Sequence, residues 1–247
     1  MPYTGAMDGV AEKLVRGGTL GLLLMVLAMG LCDAPIGAIF AAHPVQGAIG
    51  EFFDAAEQFG TPFGQIILLL ILSRLMAISP SGTRCSWDPR VLRIFVTTVL
   101  AGLSANVGKL LVARTRPREF DFALPLVDGF GDWFPLGHGG NGIQSFPSAH
   151  TASAFGFAVA LGWLWPKHRV LFFCLAILVG LQRISVAAHF PSDVIAGATL
   201  GFTVATLYLS NGWIDRIWRA IEDWCWRMQG IIPEHEQNES SSESSVT

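Results

Sequence analysis

Six stretches of this chain are each long and apolar enough to cross a lipid bilayer, and nothing else in the sequence constrains its fold as strongly. They are residues 17–34, 62–79, 91–113, 147–165, 169–187 and 192–210, some reaching the needed length only with their polar ends included. A spanning helix requires about 17 to 25 mostly apolar residues. Backbone polar groups that never meet water must pair within their own segment, so each stretch is predicted to be helical. The expectation is an all-α, polytopic membrane protein with six transmembrane helices. Composition agrees, because only 14% of the residues are charged, against about 25% in soluble domains. No linker-like stretch interrupts residues 17–210, which read as one domain after a cytoplasmic segment 1–16.

The first apolar run follows Lys13 and Arg16 and so resembles a secretory signal. Its apolar character continues, no small-residue cleavage site follows cleanly, and leucine precedes Cys32, so it reads as an uncleaved span. With the amino terminus in the cytoplasm, Lys13, Arg16, Arg74, Arg84, Arg90, Arg93, Lys167, Arg169, Arg216, Arg219 and Arg227 all fall on the cytoplasmic side. That is the expected bias of Lys and Arg, and it places both termini inside the cytoplasmic (inner) membrane. The exceptions are Lys109, Arg114, Arg116, Arg118 and Arg183, which gather at the outer ends of spans. Those five require an explanation.

Between the first two spans, "AAHPVQGAIGEFFDAAEQFG" alternates apolar and acidic positions at helical spacing, predicting a short interfacial helix. After the last span, residues 211–232 place Ile214, Ile217, Trp218, Ile221, Cys225 and Met228 on one helical face. That pattern suits a helix on the membrane surface, with a seat for a partner helix as the other reading. Residues 233–247 are acidic and serine-rich and are expected to be disordered. The net charge of −3 argues against a nucleic-acid partner. Cys32, Cys85, Cys174 and Cys225 stand far apart, without the spacing of a zinc site or disulfide framework.

Three clusters carry chemistry, all at the outer ends. In "GKLLVARTRPREF", Lys109 precedes Arg116 by seven residues, about two helical turns, which places them on a similar face. Arg offers a planar fork of donors suited to phosphate, and Lys a compact charge. In "SFPSAH", Ser145 is a plausible cap with Pro147 in the first turn, leaving the N–H groups of residues 148–150 free for an anion. Ser148 adds a hydroxyl there, and His150 a group that titrates near neutral pH. In "QRISVAAHFPSD", Asp193 follows His189 by four residues, within reach of an imidazole nitrogen. Arg183 lies six residues before His189. Cations, backbone donors and two histidines on one side of a membrane suit a phosphoryl group better than any other anion.

The order and spacing resemble the type 2 phosphatidic acid phosphatase superfamily, the lipid phosphate phosphatases. That family carries K-x6-R-P, then P-S-G-H, then S-R-x5-H-x3-D. Here "KLLVARTRP" matches in full, "PSAH" departs at Ala149, and "QRISVAAHFPSD" has Gln182 in place of serine. The resemblance implies that His189 attacks phosphorus, that Asp193 orients it, and that His150 protonates the leaving oxygen and then activates water. It implies that Lys109, Arg116, Arg183, Ser148 and the amide of Ala149 hold the phosphate, with no metal and no cofactor. Ala149 keeps that amide unless the site demands a positive φ, which costs alanine about 1 kcal/mol or more. Gln182 loses a hydroxyl and gains a longer donor arm.

Arg114 and Arg118 read equally well as an extension of the cage and as solvated loop charges. His138, in a glycine-rich loop, is a further candidate contact, and Asp33 reads as an interfacial cap. Gly197 and Gly201 are expected to permit close helix packing. The function that follows is a metal-independent membrane phosphatase acting on a lipid phosphate at the outer face. A phosphotransferase using the same intermediate and a non-catalytic anionic-lipid binder or transporter stand as the alternatives.

Overall fold

The computed structural model of the protein describes residues 4–75, 86–136 and 140–230. Nine helices of ten residues or more form its frame among these: α1 (Thr4–Leu31), α2 (Asp33–Ala42), α3 (Gly47–Glu57), α4 (Pro62–Leu75), α5 (Arg90–Leu111), α6 (Ala149–Leu164), α7 (Arg169–Ser185), α8 (Pro191–Ser210) and α9 (Gly212–Met228). Arg84, Cys85, His138 and the tail 233–247 lie outside the described residues.

Four helical segments are long and apolar enough to cross a membrane: Leu14–Leu31, Arg90–Leu111, Pro166–Ser185 and Pro191–Ser210. Gly47–Gly60 and Pro62–Arg74 pass the same test together, but they meet at a 73° bend. The expected fourth span is only the 16-residue Ala149–Leu164, about 24 Å long. It can be short because it is the core helix, with Ala152, Ala154, Phe157, Ala158 and Ala160 wholly buried. α5, α7 and α8 surround it. The described chain is therefore a mostly helical membrane protein with four or five candidate spans.

Small residues let this core close. A Cβ built on Gly201 or Gly197 of α8 would fall against the backbone oxygen of Ala152 or Ser148 in α6. α6 and α8 thus meet backbone to backbone at the end where the chemistry gathers.

The purely α expectation needs correcting. After α5 the chain enters a two-stranded antiparallel ladder, β1 (Val112–Arg114) with β2 (Phe130–Trp133), pairing Val112 with Trp133 and Arg114 with Phe130. Between the first two spans the expected short helix forms as α3, and a second helix, α2, precedes it. Both are tied into the bundle: Asp33 and Gly37 of α2 are buried, and Val45 donates its N–H to the Ser185 carbonyl in α7.

α9 buries Trp218, Cys225 and Trp226 and leaves Trp213, Ile217, Ile221, Trp224 and Met228 exposed. Part of the apolar face read from the sequence therefore packs on the bundle, and a second apolar stripe faces outward. Arg93 of α5 anchors this helix through Asp215 at 2.8 Å, while its guanidinium lies over the Trp163 ring. Glu222 lies nearby with one carboxylate oxygen buried and unpartnered. Burial pushes Glu222 up to about 7, although Arg93 and Arg90 pull the other way. A carboxyl raised in the folded state holds its proton there longer than in the unfolded chain, so its contribution is present at low pH and is lost as pH rises towards 7. Glu222→Gln is expected to raise the thermal midpoint in detergent at pH 8 and leave it unchanged at pH 4. An equal shift at both pH values would contradict this.

Candidate active site

Lys109, Arg116, Ala149, His150, Arg183 and His189 line one cavity of about 400 Å³, together with Phe95, Val99 and Leu103 of α5. Lys109 sits in the last turn of α5 and forms neither ion pair nor hydrogen bond within the described residues. It does not share a helical face with Arg116, because α5 ends at Leu111 and β1 intervenes. Arg116 instead lies in extended backbone ahead of Pro117, the conformation a residue preceding proline favours. Its Nε donates to the Asn141 carbonyl at 2.8 Å and its Nη1 to the Ala188 carbonyl at 3.3 Å. Burial lowers Arg116 from its ordinary value, and Arg118 and Arg183 add to the effect. Such a crowd of cations suits an anion.

The "PSAH" segment opens α6, but with a different cap from the one expected. Ser148, not Ser145, is the N-cap; its Oγ accepts from the Thr151 N–H and lies 2.9 Å from Thr151 Oγ1. Ser148 is fully buried, and its own N–H donates to the Asp193 carbonyl. Its hydroxyl stands behind the cavity and does not line it. Ala149 is the first residue of α6 and is not among the residues with positive φ. Its N–H has no acceptor within the helix, and the residue lines the cavity. The alanine therefore keeps the donor without strain.

His189 comes from the short turn between α7 and α8. Ala187 takes φ of 51° there, and the N–H groups of Ala188 and His189 both donate to the Arg183 carbonyl. The His189 Nδ1–H donates to the Ser145 carbonyl at 2.6 Å, while Asp193 Oδ2 is 3.9 Å from the same nitrogen. Asp193, the expected orienting partner, lies beside this nitrogen, and the Ser145 carbonyl makes the closer contact. Because a carbonyl can only accept, Nδ1 carries the proton and Nε2 keeps a free lone pair. Burial lowers His189 from 6.5 to about 4, against the opposing pull of Asp193. The imidazole is neutral at ordinary pH.

Asp193 is itself held by the Ser145 hydroxyl at 2.6 Å, the Phe190 N–H at 2.9 Å and Arg114. Two earlier readings change here. Arg114 is neither a solvated loop charge nor part of the cavity wall, since it is 1% exposed and bridges Asp193 and Asp33. Asp33 is no interfacial cap: fully buried, it pairs with Arg114 and accepts from the Ser192 N–H and hydroxyl. Arg118 keeps the solvated reading, half-exposed beside Glu119.

Arg183 is positioned by Gln182, a candidate contact in the sequence, and by acids that sequence reasoning missed. Its Nη1 lies 2.9 Å from Glu57 Oε1, and its Nε donates to Gln182 Oε1 at 2.6 Å. Gln182 in turn donates from Nε2 to Asp54 Oδ1 at 2.9 Å. Glu57 Oε1 is also 3.4 Å from His150 Nε2. The signal available in the sequence was the pair Asp54 and Glu57, three residues apart in a helix-forming stretch. Among the described residues, no group of three or more His, Cys, Asp or Glu is arranged to hold a metal ion.

Residues 90–216 match the PAP2 superfamily. The chain is 36% identical over 185 residues to a lipid A 1-phosphatase of Rhizobium johnstonii, covering 72% of each chain. It is 30% identical over 164 residues to phosphatidylglycerophosphatase B of Bacillus subtilis, covering 64% of this chain and 74% of that one. Its fold is similar to the crystal structure of a transmembrane PAP2-type phosphatidylglycerolphosphate phosphatase from Bacillus subtilis, with a TM-score of 0.54 at 23% identity, covering 83% of this chain and 97% of that one. With three cations and two histidines around one cavity and half of its length within the matched region, the chain belongs to the PAP2 superfamily.

Proposed function

We propose that this PAP2 phosphatase hydrolyses a lipid-linked phosphate through a phosphohistidine on His189, without a metal or cofactor. The supporting observation is the cavity itself, where the His189 ring, His150 and the cations Lys109, Arg116 and Arg183 meet an apolar wall of α5. In this reading Nε2 of His189 attacks phosphorus, and the bond between phosphorus and the lipid oxygen breaks. The electron pair leaves on that oxygen, which takes a proton from His150. Water then attacks phosphorus while His150 accepts its proton, the P–N bond breaks, and inorganic phosphate leaves with His189 neutral again. The cations and the Ala149 amide stabilise the charge spread over the phosphoryl oxygens, where most of the rate enhancement of phosphoryl transfer arises. Ser148 serves this site as a cap that holds the amide in place.

The proposed setting is the inner membrane, with six spans counted as α1, the bent α3–α4 pair, α5, α6, α7 and α8, both termini cytoplasmic, and the cavity open to the outer face. Phe95, Val99 and Leu103 would take the acyl portion. The substrates named for the relatives, lipid A 1-phosphate and phosphatidylglycerophosphate, are the leading candidates for this chain. Purified protein in detergent is expected to release phosphate from such lipid phosphates with a chelator present. Assayed side by side with phosphatidic acid and a polyprenyl diphosphate, the panel identifies the preferred class. Silence on every member, or activity abolished by the chelator and restored by a divalent metal, would overturn the proposal. Labelled phosphate transferred to an added acceptor lipid instead of water would replace hydrolase with phosphotransferase.

A further inference from the structure

We infer that Glu57 is a positioning residue that holds Arg183 and His150 as one unit, a role resting on the hydrolytic reading above. A single carboxylate oxygen, Oε1, lies 2.9 Å from Arg183 Nη1 and 3.4 Å from His150 Nε2. Under that reading one of these groups grips the phosphate and the other serves the leaving oxygen. Their separation decides whether the proton arrives where the bond breaks. The two side chains come from different helices, α7 and α6, and both are long enough to adopt other rotamers. Glu57 is what joins them.

The carboxylate is well placed for this because its own helix is fixed. Asp54, one turn earlier on α3, receives the Gln182 amide, and the other end of that amide receives Arg183 Nε. Arg183 is therefore held at two of its nitrogens, by Glu57 and by Gln182, and both holders trace back to α3. The turn after α3 is pinned as well: Gln65 donates to the Phe59 carbonyl at 2.8 Å, and a Cβ on Gly60 would lie 2.8 Å from the His150 carbonyl. The Glu57 side chain is only 18% exposed, so water screens these attractions weakly. Gln182, where the family motif has serine, here has a long arm because it must span from Arg183 to α3.

Glu57 does not line the cavity, although its partners do. A carboxylate beside the phosphate site rather than inside it orients the cage without filling it.

The test is steady-state phosphate release from dioleoyl phosphatidic acid in nonionic micelles, comparing wild type with Glu57→Gln, Glu57→Asp and Gln182→Ala. Glu57→Gln is expected to lower kcat by about 10- to 100-fold, the scale on which misplaced catalytic groups cost rate, with KM changed less than about threefold. Glu57→Asp keeps the charge and should recover part of kcat, and Gln182→Ala, which removes one of two holders, should lose less than Glu57→Gln. Rates are taken per folded molecule from size-exclusion profiles, so a purely structural defect would disappear on normalisation and overturn the proposal. A Glu57→Gln enzyme with unchanged kcat would overturn it, as would one with lower KM and intact kcat, which would make Glu57 a displaceable competitor of the phosphate. If wild type is silent on every lipid phosphate, the hydrolytic reading fails too. If wild type is active and His189→Ala is not, a negative result at Glu57 bears on Glu57 alone.

Discussion

His189→Ala is expected to reduce phosphate release from the best lipid substrate by about 10⁴-fold or more in kcat, with KM nearly unchanged. The magnitude follows from removing the attacking atom, a loss of the order seen when a covalent nucleophile is deleted. KM should survive because Lys109, Arg116 and Arg183 remain around the cavity to hold the phosphate of the substrate in the ground state. Burial lowers His189 to about 4, so in the wild type the free Nε2 is unprotonated near neutral pH. The substitution also leaves the Ser145 carbonyl without its donor, at a cost of about 1–3 kcal/mol. The thermal midpoint must therefore be read alongside the rate. Wild-type kcat in a folded His189→Ala protein would eliminate the phosphohistidine route, and trapping of ³²P on wild type but not on the variant would support it directly.

Arg114→Met should be the most damaging single substitution for stability, by about 3–5 kcal/mol. Arg114 lies between two fully buried carboxylates, with Nη2 2.7 Å from Asp33 Oδ2 and Nη1 bound to Asp193 and to the Ser192 hydroxyl. Phe130 and Phe190 lie 4.7 and 4.3 Å from the guanidinium carbon and close its faces. Methionine fills a similar volume but leaves both carboxylates buried without a counter-charge. Lysine keeps the charge, yet one ammonium cannot reproduce the two-pronged grip. The expected order of thermal midpoints in detergent is wild type, then Arg114→Lys, then Arg114→Met, the last lower by roughly 10 °C or more. A midpoint for Arg114→Met within about 2 °C of wild type would show that the bridge contributes nothing net.

Much of the frame was legible before any coordinates. Apolar length located α1, α5, α7 and α8 within a few residues, except that α1 starts well before its apolar run, because bilayer thickness acts on the local chain. It placed α6 within a few residues as well, a helix of 16 residues whose surroundings are other helices rather than lipid. Lys109, Arg114, Arg116, Arg118 and Arg183 were visible as exceptions to a charge rule, and the structure brings Lys109, Arg116 and Arg183 to one cavity. Their individual fates were not visible. Arg114 and Arg116 are two residues apart in near-identical chemistry, yet one is buried beneath the site and the other lines it. The chain leaves β1 after Arg114, and Arg116 stands outside the strand ahead of Pro117, so no single periodicity relates the two, and a helical extrapolation from Lys109 could not show it.

The partners of the site residues were less legible still. Sequence spacing paired His189 with Asp193, and the two are neighbours, but the close hydrogen bond goes to a backbone carbonyl that carries no side-chain signature. Asp33 and Glu57 lie between 81 and 159 residues from the groups they hold. A carboxylate that far away in the chain looks like any surface acid until the helix bearing it docks.

The sequence by itself determined that this chain is a helical membrane protein with Lys109, Arg116, Arg183, His150 and His189 at one end of its spans, because hydrophobic length, charge bias and motif spacing are local properties. Only the tertiary structure decided which nitrogen of His189 is free, that Ala149 keeps its amide without strain, and that Arg114, Asp33 and Glu57 hold the site from behind. Those outcomes depend on burial and on angstrom-scale distances between segments remote in the chain, and neither quantity exists until the helices pack.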